Sequence, residues 1–241
     1  MNSKSSENLI LVSATRYSYD NFYRASYLGQ SLLSFPESKK PVLHLLSANT
    51  GAEALGLSVF YNRVIDSVDE SGILVFIHDD VWIHDWNLFH SLNQALSVYD
   101  LVGVVGSYNC LPDQPGWFYD LDQQNATYVF PGLSTSGCIN HFDPHVPRPN
   151  YYGHSPVECQ LLDGVFLAVR ASTLKSSLIR FDEQFAYHCY DADFCHIARA
   201  AGLKIGTWPI ALTHLSSGVY DNVWIESARR LKSKWSINKK S

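Results

Sequence analysis

The chain alternates two patterns of apolar residues. "NLILVSA" (8–14), "PVLHLLSA" (41–48), "GILVFIHDD" (72–80) and "DLVGVVGS" (100–107) are continuous apolar runs closed by small or polar residues, as expected of strands buried on both faces. Between them, "SYDNFYRASYLGQSLLSF" (18–35), "AEALGLSVFYNRVIDSV" (52–68) and "WNLFHSLNQALSVY" (86–99) space their apolar residues as helices do. The repeated order of strand and helix predicts an α/β fold with a mostly parallel central sheet flanked by helices. After Ser107 the pattern breaks. Residues 108–160 carry Pro112, Pro115, Pro131, Pro144, Pro147, Pro149 and Pro156 with no helical period, which predicts a loop-rich excursion. Its aromatics and histidines argue for order and function there. Order returns with "QLLDGVFLAVRASTL" (160–174), a strand leading into a short helix. A helix from about Asp191 to Ala201, a stop at Gly202, a strand from about Lys204 to Leu212 and a terminal helix over about 221–235 follow. The whole reads as one domain in four parts: about 8–107, 108–160, 161–218, and a C-terminal helix with a basic tail at 219–241.

Composition narrows the class. With 241 residues, 46% of them hydrophobic and 13% aromatic, the chain can bury a sizeable core of its own. A formal net charge of -5 gives no general attraction to nucleic acid or an anionic membrane, and no nucleic-acid partner is expected. The tail "RRLKSKWSINKKS" is the exception, and its cations suit either a solvated helix end or weak peripheral contact with acidic headgroups. The polar N-terminus and the absence of a run of eighteen apolar residues predict a cytoplasmic protein, at most peripheral to the inner face of the membrane. Five cysteines without CxxC spacing predict reduced thiols.

The chemistry concentrates where "ILVFI" ends on His78, Asp79 and Asp80. In an open parallel sheet, ligands bind at the carboxyl ends of the strands. Adjacent carboxylates there repel unless a cation lies beside them, and a divalent ion has a use if the ligand is a diphosphate. The competing reading makes the pair a cap for the helix that follows near Asp85 and Trp86. "YDADFC" (190–195) adds Asp191 and Asp193 at a helix start, and "LTHLSSG" (212–218) adds His214 after a strand. Each alone fits a cap or a loop residue; their order along the chain is the stronger signal.

That order resembles the family 2-like nucleotide-sugar glycosyltransferases of the GT-A fold, in particular the bacterial group whose strand-end motif reads "FIHDDV". The resemblance runs from "LILVSA" to "THLSSG" and is weakest over 108–160. It implies a first half that binds a nucleotide-diphosphate sugar, with Ser13, Ala14, Thr15, Asn62 and Asp79 against the donor. It implies Mn²⁺ or Mg²⁺ on Asp79 and Asp80, with Asp80 the direct ligand and His214 completing the site as in some members. Asp163 and Gly164 of "LLDGVFLAVR" resemble the acceptor-side segment, and Asp191 falls on the position of the catalytic base, while Asp193 reads as mainly structural or as positioning the acceptor. The implied activity is inverting transfer to a hydroxyl of a glycan, lipid-linked or other acceptor, in glycan or polysaccharide synthesis. The sequence departs from the family in having Tyr190 where the box usually has Glu, no "DDGS" after the second strand, and "SATR" in place of "PTYN".

Further expectations come from the residues alone. "GWFYD" (116–120), with Trp117, and "NYYGHS" (150–155) suit a wall on which sugar rings stack, or equally aromatics that pack the loop onto the sheet. "CINHFDPH" (138–145) and "HCYDADFCH" (188–196) hold enough Cys and His for a zinc-dependent hydrolase, although their spacing fits no zinc template. A non-catalytic nucleotide-sugar or glycan binding module is the other alternative.

Overall fold

The computed structural model describes residues 8–132, 134–146, 148–216 and 218–237. In chain order the first elements are β1 (Leu9–Ala14), α1 (Tyr19–Ala25), α2 (Tyr27–Leu33), β2 (Val42–Leu46), α3 (Leu57–Ser67), β3 (Ile73–Ile77), β4 (Val81–Ile83), α4 (Leu88–Ala95), β5 (Leu101–Gly103) and β6 (Val105–Tyr108). The excursion contributes β7 (Asp120–Asp122), β8 (Thr127–Val129), β9 (Ser134–His141) and β10 (Pro149–Gly153). The chain ends with β11 (Leu161–Leu162), β12 (Phe166–Arg170), α5 (Ala171–Ser177), α6 (Tyr190–Ala200), β13 (Ile205–Thr207), β14 (Leu212–His214) and α7 (Asn222–Ile237).

The central sheet has six strands in the order β13-β5-β12-β3-β1-β2. β1 pairs in parallel with β2 and β3, and β13 with β5, while β12 runs against both β3 and β5. Every residue of β3 is buried, because helices cover both faces of the sheet. A second sheet, β11-β6-β9-β14-β4 with β10 added on β9, stands at the carboxyl edge of the first.

Three expected elements turn out divided. The helix expected over 18–35 breaks at Ser26, whose extended backbone ends α1 and whose hydroxyl caps α2 by accepting from the Gly29 N–H at 2.9 Å. Gly29 is needed there, since a Cβ would lie 2.3 Å from the Phe22 carbonyl oxygen. The apolar run 100–107 is two strands in different sheets, β5 and β6, divided at Val104. The strand expected over 204–212 likewise divides into β13 and β14, one in each sheet.

Antiparallel registers then assemble one region. Phe166 of β12 lies opposite Ile77 of β3, so the residues just before β12, Asp163 to Val165, sit beside those just after β3, His78 to Asp80. His214 at the end of β14 lies opposite Val81 at the start of β4. The Leu215 N–H donates to the Asp80 carbonyl at 3.0 Å, and the His78 N–H donates to the Val165 carbonyl at 3.3 Å.

The terminal helix is pinned from inside. Lys232 meets Asp120 at 2.7 Å, while Lys234 meets both Asp182 and Asp193 at 2.7 Å. Two of the basic tail's cations are thus engaged within the fold, which leaves the expected membrane contact without support. The last four residues, 238–241, lie outside the described region. Among the described residues no helix is long and apolar enough to cross a membrane.

Candidate active site

The carboxyl ends of β1 and β3, the start of α6 and the excursion enclose a cavity of about 390 Å³. His78, Asp80, Asp163, Asp191 and His214 line its floor.

On one side of the floor, His214 Nε2 lies 3.2 Å from Asp80 Oδ1, and His78 Nδ1 lies 4.0 Å from the same oxygen. Ligand atoms of these three residues all fall within 4.8 Å of one another. Burial pushes the Asp80 carboxyl up, but the hydrogen bond and charge of His214, and then His78, overcome it and hold the group well below the usual carboxylate range. His78 is pushed down, first by burial and then by the neighbouring His214. The floor therefore offers an ionised carboxylate and a neutral imidazole side by side. Burial pushes His214 down, but its bond to Asp80 outweighs this and raises it, so His214 would release its Nε2 proton on binding a cation; two nitrogens and one carboxylate oxygen then form a donor set that fits a divalent ion, Mn²⁺ well and Mg²⁺ less well.

His78 is the site residue that the sequence reading passed over, although it stood next to the acidic pair. Asp80 and His78 converge across the turn that follows β3, whereas Asp79 turns away and accepts from the Thr15 hydroxyl at 2.5 Å. Burial raises the Asp79 carboxyl despite that bond. Asp79 still lines the cavity beside Ala14.

On the other side, Asp191 stands in the first turn of α6, where the helix dipole favours a negative charge. Its Oδ2 accepts from the Gly164 N–H at 2.9 Å. Burial, followed by the charge of Asp163, nevertheless lifts it to about 6. The approach is close enough that a Cβ on Gly164 would meet the Tyr190 hydroxyl at 2.5 Å and Asp191 Cβ at 2.9 Å. Asp163 accepts from Trp117 Nε1–H at 2.6 Å and from the Val165 N–H at 2.9 Å.

The excursion forms the wall. Trp117, Phe118, Tyr119, Asn150 and Tyr152 line the cavity, so both aromatic segments reach it. Trp117 also packs against the cores on both faces of the sheet. Tyr220 and Tyr187 join the wall from outside the excursion.

Other expected residues lie elsewhere. Asn62 binds the Phe181 backbone and Glu183, holding the loop before α6. Ser13 is fully buried, with no hydrogen-bond partner for its hydroxyl. Asp193 is fully buried and accepts from Trp235 Nε1–H at 2.8 Å as well as from Lys234, so it anchors α7 and does not line the cavity. Among the described residues, the cysteines and histidines of the two expected zinc segments do not converge into a three-ligand group, and the cysteines are free thiols.

No family model matches the chain, and no curated protein matches it. Solved structures do. Residues 1–349 of TarS from S. aureus, a structure in complex with UDP, superpose with a TM-score of 0.51 at 12% identity, over 96% of this chain and 66% of that one. The chain has the fold of the GT-A glycosyltransferases. The catalytic domain of Drosophila β1,4-galactosyltransferase 7, complexed with xylobiose, gives a TM-score of 0.45 at 11% identity over 95% of this chain and 80% of that one. A mannosyltransferase from Pyrobaculum calidifontis, in complex with GDP-Man and Mn²⁺, gives 0.45 at 12% identity over 95% and 62%. At such identities the likeness is one of fold, and the chemistry has to be argued from the cavity.

Proposed function

We propose that this protein is a metal-dependent inverting glycosyltransferase that moves a sugar from a nucleotide-diphosphate sugar to an acceptor hydroxyl. The observation that carries the proposal is one cavity holding a His78–Asp80–His214 cluster and, on the same floor, a second carboxylate, Asp191, that burial and the charge of Asp163 raise to about 6. UDP in the TarS structure lends the donor class support.

His78, Asp80 and His214 would hold the cation. Once bound, it neutralises a diphosphate and stabilises it as a leaving group. Asp191 accepts the proton of the attacking hydroxyl, and the Gly164 N–H fixes the carboxylate in place for that transfer. A base near 6 is ionised at neutral pH yet basic enough to take a proton. Ala14 and Asp79 border the donor side, and Thr15 holds Asp79 from behind. The ring faces of Trp117 and Tyr152 stack on the acceptor, and Asp163 holds the Trp117 indole in position. Inversion follows when the hydroxyl that Asp191 deprotonates attacks the anomeric carbon on the face opposite the diphosphate, the new glycosidic bond forming as the bond to the diphosphate breaks.

The test is a panel of nucleotide sugars, screened for a rise in melting temperature with and without Mn²⁺. Donors that bind are then assayed for turnover with glycan and lipid-linked acceptors, and the product's anomeric configuration is read by NMR. Metal-dependent binding without turnover on any acceptor would favour a binding module, and retention of configuration would remove the single-base scheme.

A further inference from the structure

We propose that Tyr190 is a positioning residue that holds His78 as the Nε2–H tautomer, so that His78 Nδ1 stands beside Asp80 as the second nitrogen of the cation site. This inference rests on the reading of the His78–Asp80–His214 cluster as a cation site.

The argument is an accounting of one proton. The Tyr190 hydroxyl lies 3.0 Å from the Gly164 carbonyl oxygen and 2.9 Å from His78 Nε2. A carbonyl can only accept, so the single phenolic proton goes to Gly164. The remaining contact is satisfied only if His78 Nε2 carries a proton and donates it to the phenolic oxygen. The neutral ring then has its lone pair on Nδ1. That nitrogen faces Asp80 Oδ1 at 4.0 Å, too far for a hydrogen bond, and both atoms are acceptors. Two acceptors facing one another favour a cation between them. Histidine ligands commonly donate the other ring N–H to a fixed acceptor, which sets the tautomer, and here that acceptor is itself locked by Gly164. Tyr190 has little freedom to do otherwise. It is 4% exposed, with Tyr61 and Phe181 against its ring.

The consequence is metal selectivity. With His78 Nδ1 presented, the site has two imidazole nitrogens and one carboxylate, a set that favours Mn²⁺ over the oxygen-seeking Mg²⁺. The same Gly164 that takes the phenolic proton through its carbonyl gives its N–H to Asp191. A single residue therefore ties the orientation of a cation ligand to that of the base.

Two measurements on the full chain test this. Long-range ¹H–¹⁵N spectra of the metal-free protein should show His78 protonated on Nε2, with Tyr190→Phe giving a mixture of tautomers. Titration with MnCl₂, followed by the paramagnetic resonance of free Mn²⁺, should show Tyr190→Phe weakening Mn²⁺ affinity about 10- to 100-fold, the usual cost of losing such a partner. Mg²⁺, measured by competition, should weaken much less, so the Mn²⁺/Mg²⁺ preference falls. A wild-type His78 protonated on Nδ1, or a Tyr190→Phe protein whose Mn²⁺ affinity is unchanged, overturns the proposal. The wild-type spectrum needs no variant, so misfolding of Tyr190→Phe does not spare it. Mn²⁺ binding with the expected tautomer but no retained nucleotide sugar would remove the transferase reading and leave this one standing. No Mn²⁺ binding at all overturns both.

Discussion

The floor and the wall of the cavity are built on different principles. On the floor, chemical groups stand at the ends of buried strands or in the first turn of a helix, and hydrogen bonds fix them: Gly164 holds Asp191, Thr15 holds Asp79, and Tyr190 holds His78. The wall is held largely by rings. Trp117 meets Tyr152 edge-on with centroids 5.0 Å apart, Tyr119 meets Tyr220 at 4.7 Å, and the outer members Tyr128 and Phe130 are 44% and 48% exposed. The difference teaches how the labour divides. Proton transfer and cation binding tolerate little displacement and call for locked groups, whereas stacking on a sugar face tolerates sliding and suits rings that hold one another.

The comparison breaks most severely at the floor. Asp191→Asn should lower kcat by roughly 10²–10⁴-fold with donor binding retained, because the amide can still accept from Gly164 but cannot take a proton. The same change should stabilise the metal-free protein. A carboxyl at about 6 in the fold and near 3.8 unfolded disfavours folding once ionised, so its stabilising effect is present below the unfolded value and lost as pH rises through about 6. The variant should therefore exceed wild type by up to about 3 kcal/mol at pH 8 and converge with it below pH 4, as read from urea melts across pH. Near-normal kcat, or a stability difference independent of pH, would place the base elsewhere.

Asp80→Asn comes next. Its carboxylate is the one oxygen ligand shared by both histidines, so Mn²⁺-dependent donor affinity measured by calorimetry should fall on the order of 100-fold. His214→Ala should lose less, since a water can replace one nitrogen, and Asp79→Asn less again, because Asp79 faces Thr15. An Asp79 variant worse than the Asp80 one would invert the assignment.

Asp193→Asn separates fold from floor although it lies two residues from Asp191. It leaves Lys234 short of a buried counter-charge and should cost about 2–3 kcal/mol, read as a melting temperature lower by roughly 5–10 °C, with kcat within a few-fold of wild type. A selective loss of kcat without loss of stability would return Asp193 to the acceptor side.

What was legible in the sequence follows the same division. The β3 run ending on Asp79 and Asp80, and the Asp191 helix start, could be read because burial imposes continuous apolar patterns and chemistry gathers where they stop. The switch of sheets at Val104 could not, since a strand buried in one sheet has the same pattern as a strand buried in the next. Nor could the partners of Asp193 or the arrival of Tyr220, because long-range pairing leaves no local period. His78 was legible in principle, since it stands at the end of the same buried strand as the acidic pair.

The smallest effect belongs to the wall and tests whether the ring bonded to Asp163 behaves as floor or as wall. Trp117 donates to Asp163 at 2.6 Å while its ring rests on Tyr152 and on both cores. Trp117→Ala removes ring, bond and packing together, so it should lower stability as well as raise the acceptor KM, and it cannot distinguish the roles. Trp117→Phe keeps a ring and removes the N–H. If the indole works as a stacking surface, acceptor KM should rise only several-fold, kcat should hold, and the rate–pH profile governed by Asp191 should stay where it is. If the bond to Asp163 sets the floor, the freed carboxylate interacts more strongly with Asp191, and the acid limb of kcat/KM moves to higher pH. A shift in that limb without a rise in KM would make Trp117 part of the floor; a rise in KM with the limb fixed keeps it in the wall.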